Sequence, residues 1–128
     1  MKKFKKLDPE FKAKWVAALR SGDYKQTTLK LHRASGGYCC LGVVGILCGL
    51  NSELLLEKDA FCESENLGGL LNKIPKQLLG AGNVEEKDYN PLIEKLACMN
   101  DGHHEDDFNP TGKKYTFLEI ADWIEENL

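Results

Sequence analysis

The chain has 128 residues, a formal net charge of −3, 42% hydrophobic residues and 29% charged residues. That length fits one domain, 1–128, able to bury about two thirds of its unfolded surface. The acidic balance speaks against general DNA binding, which shows as a basic domain. Five cysteines are too few and odd for a fully paired disulfide scaffold, so they read as reduced core thiols of a cytoplasmic protein.

Met1–Lys6 is basic, but no apolar run follows it, so no secretory leader is expected. Asp8-Pro9-Glu10 is a helix start: Asp8 caps, Pro9 suits the first helical position, and Glu10 favours the positive end of the dipole. Phe11, Trp15, Ala18 and Leu19 then share one face, and Ser21-Gly22 ends the helix. From Thr28 to His32 polar and apolar residues alternate, which predicts a half-buried strand with Leu29 and Leu31 facing in. Gly36-Gly37 turns the chain, so that Tyr38-Cys39 pairs back on that strand.

Tyr38–Leu50 follows, thirteen residues without a charge. It is shorter than the roughly 20 residues a bilayer span needs, so it predicts a buried helix at about 40–50. Gly42, Gly45 and Gly49 recur at spacings of three and four, a smooth stripe against which another element can lie closely. Between 53 and 90 the pattern is weaker. Asp59–Glu63 suits a short edge strand, and Ile74-Pro75 opens a short helical turn through Leu79. Asn90-Pro91 repeats the cap-then-proline start, with Leu92, Leu96 and Met99 on one face before Asn100-Asp101-Gly102. A polar loop, His103–Lys113, leads to a short strand at Lys114–Thr116. Thr116 and Glu119 have the spacing of a capping box. Phe117, Ile120, Ala121 and Ile124 form the buried stripe of the last helix. The expected fold class is α+β: helices on a small, mostly antiparallel sheet around the buried helix.

Charge is unevenly spread. Residues 1–33 hold ten Lys/Arg against three Asp/Glu, and the remainder holds seven against seventeen. Either a basic first helix packs on an acidic last one, or the basic third meets an anion.

Three pieces, Trp15–Gln26, Tyr38–Val43 and Met99–Gly102 leading to Phe117–Ile124, resemble a family of small, uncharacterised proteins encoded by bacteriophages and prophages. The chain departs from that pattern in a longer Val43–Ile46 run and an extended 103–113 loop. The resemblance implies a phage-encoded accessory protein acting against host defence, by binding a host protein or by sequestering a signalling nucleotide.

Gln26, Cys40, His103 or His104, and Asn100 or Asp101 echo a papain-like hydrolase, because a thiol at a helix N-terminus is more nucleophilic. Cys40 nevertheless sits in an apolar run. His103, His104, Glu105, Asp106 and Asp107 lack the spacing of a metal site, and Cys39, Cys40, Cys48, Cys62 and Cys98 contain no C-x-x-C pair, so no metal or other cofactor is expected. The best candidate is a basic–aromatic cleft of Arg20, Tyr24, Gln26, Lys30, Arg33 and Tyr38, with Asn100 and Asp101 lining it, because guanidinium forks match phosphate and aromatic faces stack bases. The expected function is therefore capture of a small anionic ligand of nucleotide type without turnover, in the host cytoplasm. Masking of a host protein surface is the alternative and a cysteine hydrolase using Cys40 the second. The ligand binder admits a homo-oligomer; no membrane partner and no nucleic acid are expected.

Overall fold

The computed structural model describes residues 4–62, 65, 67–82 and 88–128. Among the described residues five α-helices carry it: α1 (Pro9–Ser21), α2 (Cys40–Leu47), α3 (Ser52–Leu55), α4 (Pro91–Asp101) and α5 (Phe117–Asn127). The 3-10 turns Gly68–Lys73 and Lys76–Leu78 lie between α3 and α4.

The helix boundaries follow from local chemistry. The Asp8 carboxylate accepts from the Phe11 amide at 3.1 Å, Pro9 opens α1, and Gly22 leaves it at φ 81°. Asn90 caps α4 by accepting from the Leu92 amide, while its own amide ties down the Gln77 and Leu79 carbonyls. At α5 the capping box is complete: the Thr116 hydroxyl accepts from the Glu119 amide and the Glu119 carboxylate from the Thr116 amide. α2 has no side-chain cap from its own end. Its apolar residues leave none available, and the cap comes from elsewhere in the chain, as described below.

α2 is the centre. Cys40 to Gly45 are all buried, and α1, α3 and α4 pack on it. The Trp15 indole N–H donates to the Cys40 carbonyl at 3.0 Å inside that core, fastening α1 to the first turn of α2. A Cβ at Gly42 would lie 1.8 Å from the Leu31 carbonyl oxygen, so only glycine lets that loop cross the helix. Gly45 receives the Leu55 side chain in the same way, whereas Gly49 lies past the helix at φ 89° and meets nothing. The close-approach stripe thus has two members, and the third glycine is a turn.

α1 and α5 lie side by side. Arg20 donates to Asp122 at 2.7 Å and to Glu125 at 2.9 Å, and the Lys12 ammonium reaches the Glu125 carbonyl. The basic first helix therefore packs on the acidic last one. No helix among the described residues is long and apolar enough to cross a membrane.

The expected α+β architecture is corrected. Among the described residues there is no β-strand and no sheet; the chain is mostly helical with isolated bridges. The 28–32 strand fails at Leu29, whose φ of 71° reverses the backbone where a strand needs consecutive extended residues. Its amide goes to the Asp101 carboxylate at 2.9 Å instead of to a neighbouring strand. Leu31 is buried as expected, but Leu29 is 63% exposed. Tyr38 does pair back, as single bridges to Gln26 and His32. Phe61 makes one bridge to Gly80 where an edge strand was expected, and Glu63 lies outside the described residues. Lys114–Thr116 forms no strand; the Tyr115 amide donates to the Met99 carbonyl and its carbonyl accepts from the Gln26 side chain.

Candidate functional site

A cleft of about 510 Å³ opens beside α4. One face of α4 forms its wall with Glu94, Ala97, Cys98 and Asp101, residues spaced as one helical stripe. The first residues of α2, Cys39 to Leu41, form the floor. Leu29 and Lys30 stand at one rim with Asp59 and Ala60; His103 and Glu105 come from the loop after α4.

Asn100 positions these elements. Its side chain is fully buried and makes four hydrogen bonds. Its carbonyl oxygen accepts from the Cys40 amide at 3.2 Å and from the Gln26 side-chain amide at 3.1 Å. Its amide donates to the Thr27 carbonyl at 2.8 Å and to Asp101 at 3.0 Å. Asn100 is thus the missing N-cap of α2, supplied from α4. Gln26 extends the network: it donates to the Tyr115 carbonyl and accepts from the Phe117 amide, which pins the start of α5. Each of these polar atoms is used by the framework. The 103–113 loop is held separately, by the Asn109 amide, which donates to the carbonyls of Cys98, His103 and Lys113.

The thiols in the floor are held protonated. Burial pushes Cys39 up to about 12 and raises Cys40 well above the usual thiol range, and the Asp101 charge adds to both. Cys98 is pushed up to about 11 by burial first, then by the charges of Glu94, Glu105 and Asp101. A thiolate at the head of α2 is therefore disfavoured, although the helix N-terminus alone would favour one. Among the described residues, no three His, Cys, Asp or Glu side chains converge on a point that holds one metal ion.

The residues expected to form a basic–aromatic cleft are divided. Lys30, Asn100 and Asp101 line the α4 cleft, and Gln26 lies beneath it. Lys30 is paired with Asp59 at 2.7 Å, which raises its pKa. Arg20 lines a different groove between α1 and α5, bound to the α5 carboxylates. Tyr24, Tyr38 and His32 form a ring cluster on the 24–38 loop, with His32 stacked on Tyr38 at 4.2 Å and Tyr24 edge-on to it at 5.6 Å. The Arg33 Nε donates to the Thr28 carbonyl in that loop. Hence the ring cluster and Arg33 share the 24–38 loop, while Arg20 does not join them.

Sequence reasoning assigns no role to Glu94, offers Cys98 and Glu105 only as members of metal-ligand sets that lack the spacing, and reads Asp59 and Leu29 as strand residues. The signal for two of them was present: 94, 97, 98 and 101 repeat at helical spacing on the side of α4 opposite Leu92, Leu96 and Met99. Leu29 carried no such signal, because its alternation with Leu31 imitates a strand.

The molecule is thus a small helical protein with a thiol-floored, acid-rimmed cleft. The chain belongs to the family described as Domain of unknown function (DUF8296), whose model matches residues 7–128. No curated protein and no solved structure matches it.

Proposed function

We propose that the protein is a non-catalytic binding protein that takes its ligand in the α4 cleft and releases it chemically unchanged. One observation carries this reading: the polar groups that a hydrolase would need are occupied by the framework. Asn100 and Gln26 spend their hydrogen bonds on holding α2, α4 and α5 together. The adjacent thiols are buried and protonated, so the cleft offers shape and charge but no activated nucleophile. The resemblance to phage-encoded proteins supports an accessory role against host defence, and the reduced thiols suit a cytoplasmic setting.

A nucleotide-type signal is the second reading, favoured by the Tyr24–Tyr38–His32 ring cluster beside Arg33. Such a ligand would sit against the 24–38 loop rather than in the cleft, whose carboxylates repel phosphate.

The test is a thermal-shift panel of cyclic dinucleotides, cyclic ADP-ribose isomers, mononucleotides and short peptides of either charge. A ligand at 100 times its dissociation constant stabilises by about 2.7 kcal/mol, or roughly 10 °C for this size. Denaturing the complex should return the ligand intact; recovery of a cleaved product would overturn the binding reading. Loss of the shift in Glu94→Gln but not in Arg33→Ala places the ligand in the cleft, and the reverse places it on the ring cluster.

A further inference from the structure

Leu29 stands out on this surface. It is a large apolar side chain, 63% exposed, on a backbone in the left-handed region at φ 71°. A residue with a Cβ is held there at a cost of about 1–2 kcal/mol. Here the Asp101 carboxylate holds it by accepting the Leu29 amide, and Asp101 is itself held by the buried Asn100. The framework therefore keeps an apolar knob projecting at the rim of the cleft.

The cleft beside it is amphipathic. Its floor and wall are apolar, with Cys39, Leu41, Ile93 and Ala97, and its rim carries four carboxylates, Asp59, Glu94, Asp101 and Glu105, against Lys30. Lys30 is already neutralised by Asp59. Glu94 and Asp101 stand on one face of α4 and Glu105 comes from the loop after it, so the three carboxylates line the same cleft. Charge complementarity selects a cationic occupant, and the apolar floor with the Leu29 knob selects one that also brings apolar side chains.

We infer that the α4 cleft is a docking groove for a basic–apolar segment of a partner protein, with Leu29 as the anchor that packs on the segment's apolar residues and Glu94, Asp101 and Glu105 as the groups that meet its Lys or Arg side chains. This rests on the reading of the cleft as the binding site. It adds the chemical class of the occupant.

The probe is a fluorescein-labelled decapeptide alternating Lys and Leu, with its Glu–Leu counterpart as a charge control, read by fluorescence anisotropy against the full chain. The Lys–Leu peptide should bind at least tenfold more tightly than the Glu–Leu peptide. Leu29→Ser and the double variant Glu94→Gln/Glu105→Gln should each weaken it tenfold or more with unchanged thermal midpoints, since all three side chains lie at or near the surface. Glu126→Gln, which removes one carboxylate on α5 away from the cleft, should leave it unaltered. Equal binding of the two peptides, or equal weakening by Glu126→Gln and the cleft variants, would overturn the inference as mere attraction to an acidic protein. If the Lys–Leu peptide fails while another ligand shifts the midpoint and loses that shift in Glu94→Gln, the occupant class is wrong and the cleft reading stands. If no ligand that binds is affected by any cleft variant, the cleft reading fails as well.

Discussion

Replacing Asn100 by alanine should unfold more of the molecule than its single side chain suggests. The side chain is fully buried, and its loss takes a partner from four groups, the Asp101 carboxylate among them. The Cys40 amide, at the head of a helix with no cap of its own, loses its acceptor. The Thr27 carbonyl loses its donor, and the Gln26 amide keeps only the Tyr115 carbonyl. A buried unpaired donor costs about 1–3 kcal/mol, and the emptied volume adds about 1 kcal/mol. The total is about 2–4 kcal/mol, a fall in the thermal midpoint of roughly 7–15 °C. Urea denaturation followed by far-ultraviolet circular dichroism measures it directly. Asn100→Asp separates the donor from the acceptor. It preserves the oxygen facing Cys40 but sets a carboxylate against Asp101 and the Thr27 carbonyl. Its folded pKa is then raised above the unfolded value of about 3.9, so its deficit relative to wild type is smallest at low pH and grows as pH rises through the folded pKa. A cost below about 1 kcal/mol for Asn100→Ala would refute the claim that this residue joins α2, α4 and the 26–29 loop.

Other expectations follow from the same geometry. Gly42→Ala should cost several kcal/mol, because the added Cβ meets the Leu31 backbone at 1.8 Å, whereas Gly69→Ala, with nothing within 4 Å, should stay within about 0.5 kcal/mol by the same urea assay. Leu29→Gly should stabilise the chain by up to about 1 kcal/mol by relieving the left-handed strain; a clear destabilisation would mean that Leu29 packs on something within the molecule. In native protein at pH 8, Ellman's reagent should leave Cys39 and Cys40 unmodified until denaturant is added, since burial holds both thiols protonated; rapid labelling of Cys40 would revive the hydrolase reading. Glu119, beside Lys113 and the Thr116 amide, and Glu125, beside Arg20, both have lowered pKa values. Their contribution is present above about 4.5 and is lost as pH falls through the folded values. Lys113→Ala should therefore flatten the acid side of a plot of urea midpoint against pH.

Much of the helical skeleton was legible because its signals are local. Asp8-Pro9, Asn90-Pro91 and Thr116 with Glu119 each announce a helix start, and each is one. The uncharged 38–50 run marked the core helix, and the charge asymmetry left open two readings, of which the α1–α5 contact is one that the fold contains. The sheet was misread because alternation over Thr28–His32 is also what a loop shows when one leucine is buried and the next is pushed outward. What decides between the two is Asp101, seventy-two positions away, which captures the Leu29 amide. The site was partly legible for the same reason. Lys30, Asn100 and Asp101 were singled out and do line the cleft, but Arg20 was grouped with them by nearness in sequence, and its partners come from α5. Glu105 and Asp59 reach the cleft from loops whose path no local pattern sets.

The central claim is that this cleft, and not another surface, receives the ligand. Amide chemical-shift mapping on the isotope-labelled chain tests it most directly, with the Lys–Leu peptide and any thermal-shift hit as titrants. The expected footprint covers residues 29–30, 39–41 and 93–105, with the α1–α5 groove around Lys12 and Arg20 unchanged. A footprint centred on that groove, or on the ring cluster at 24–38 with the α4 amides unmoved, would contradict it.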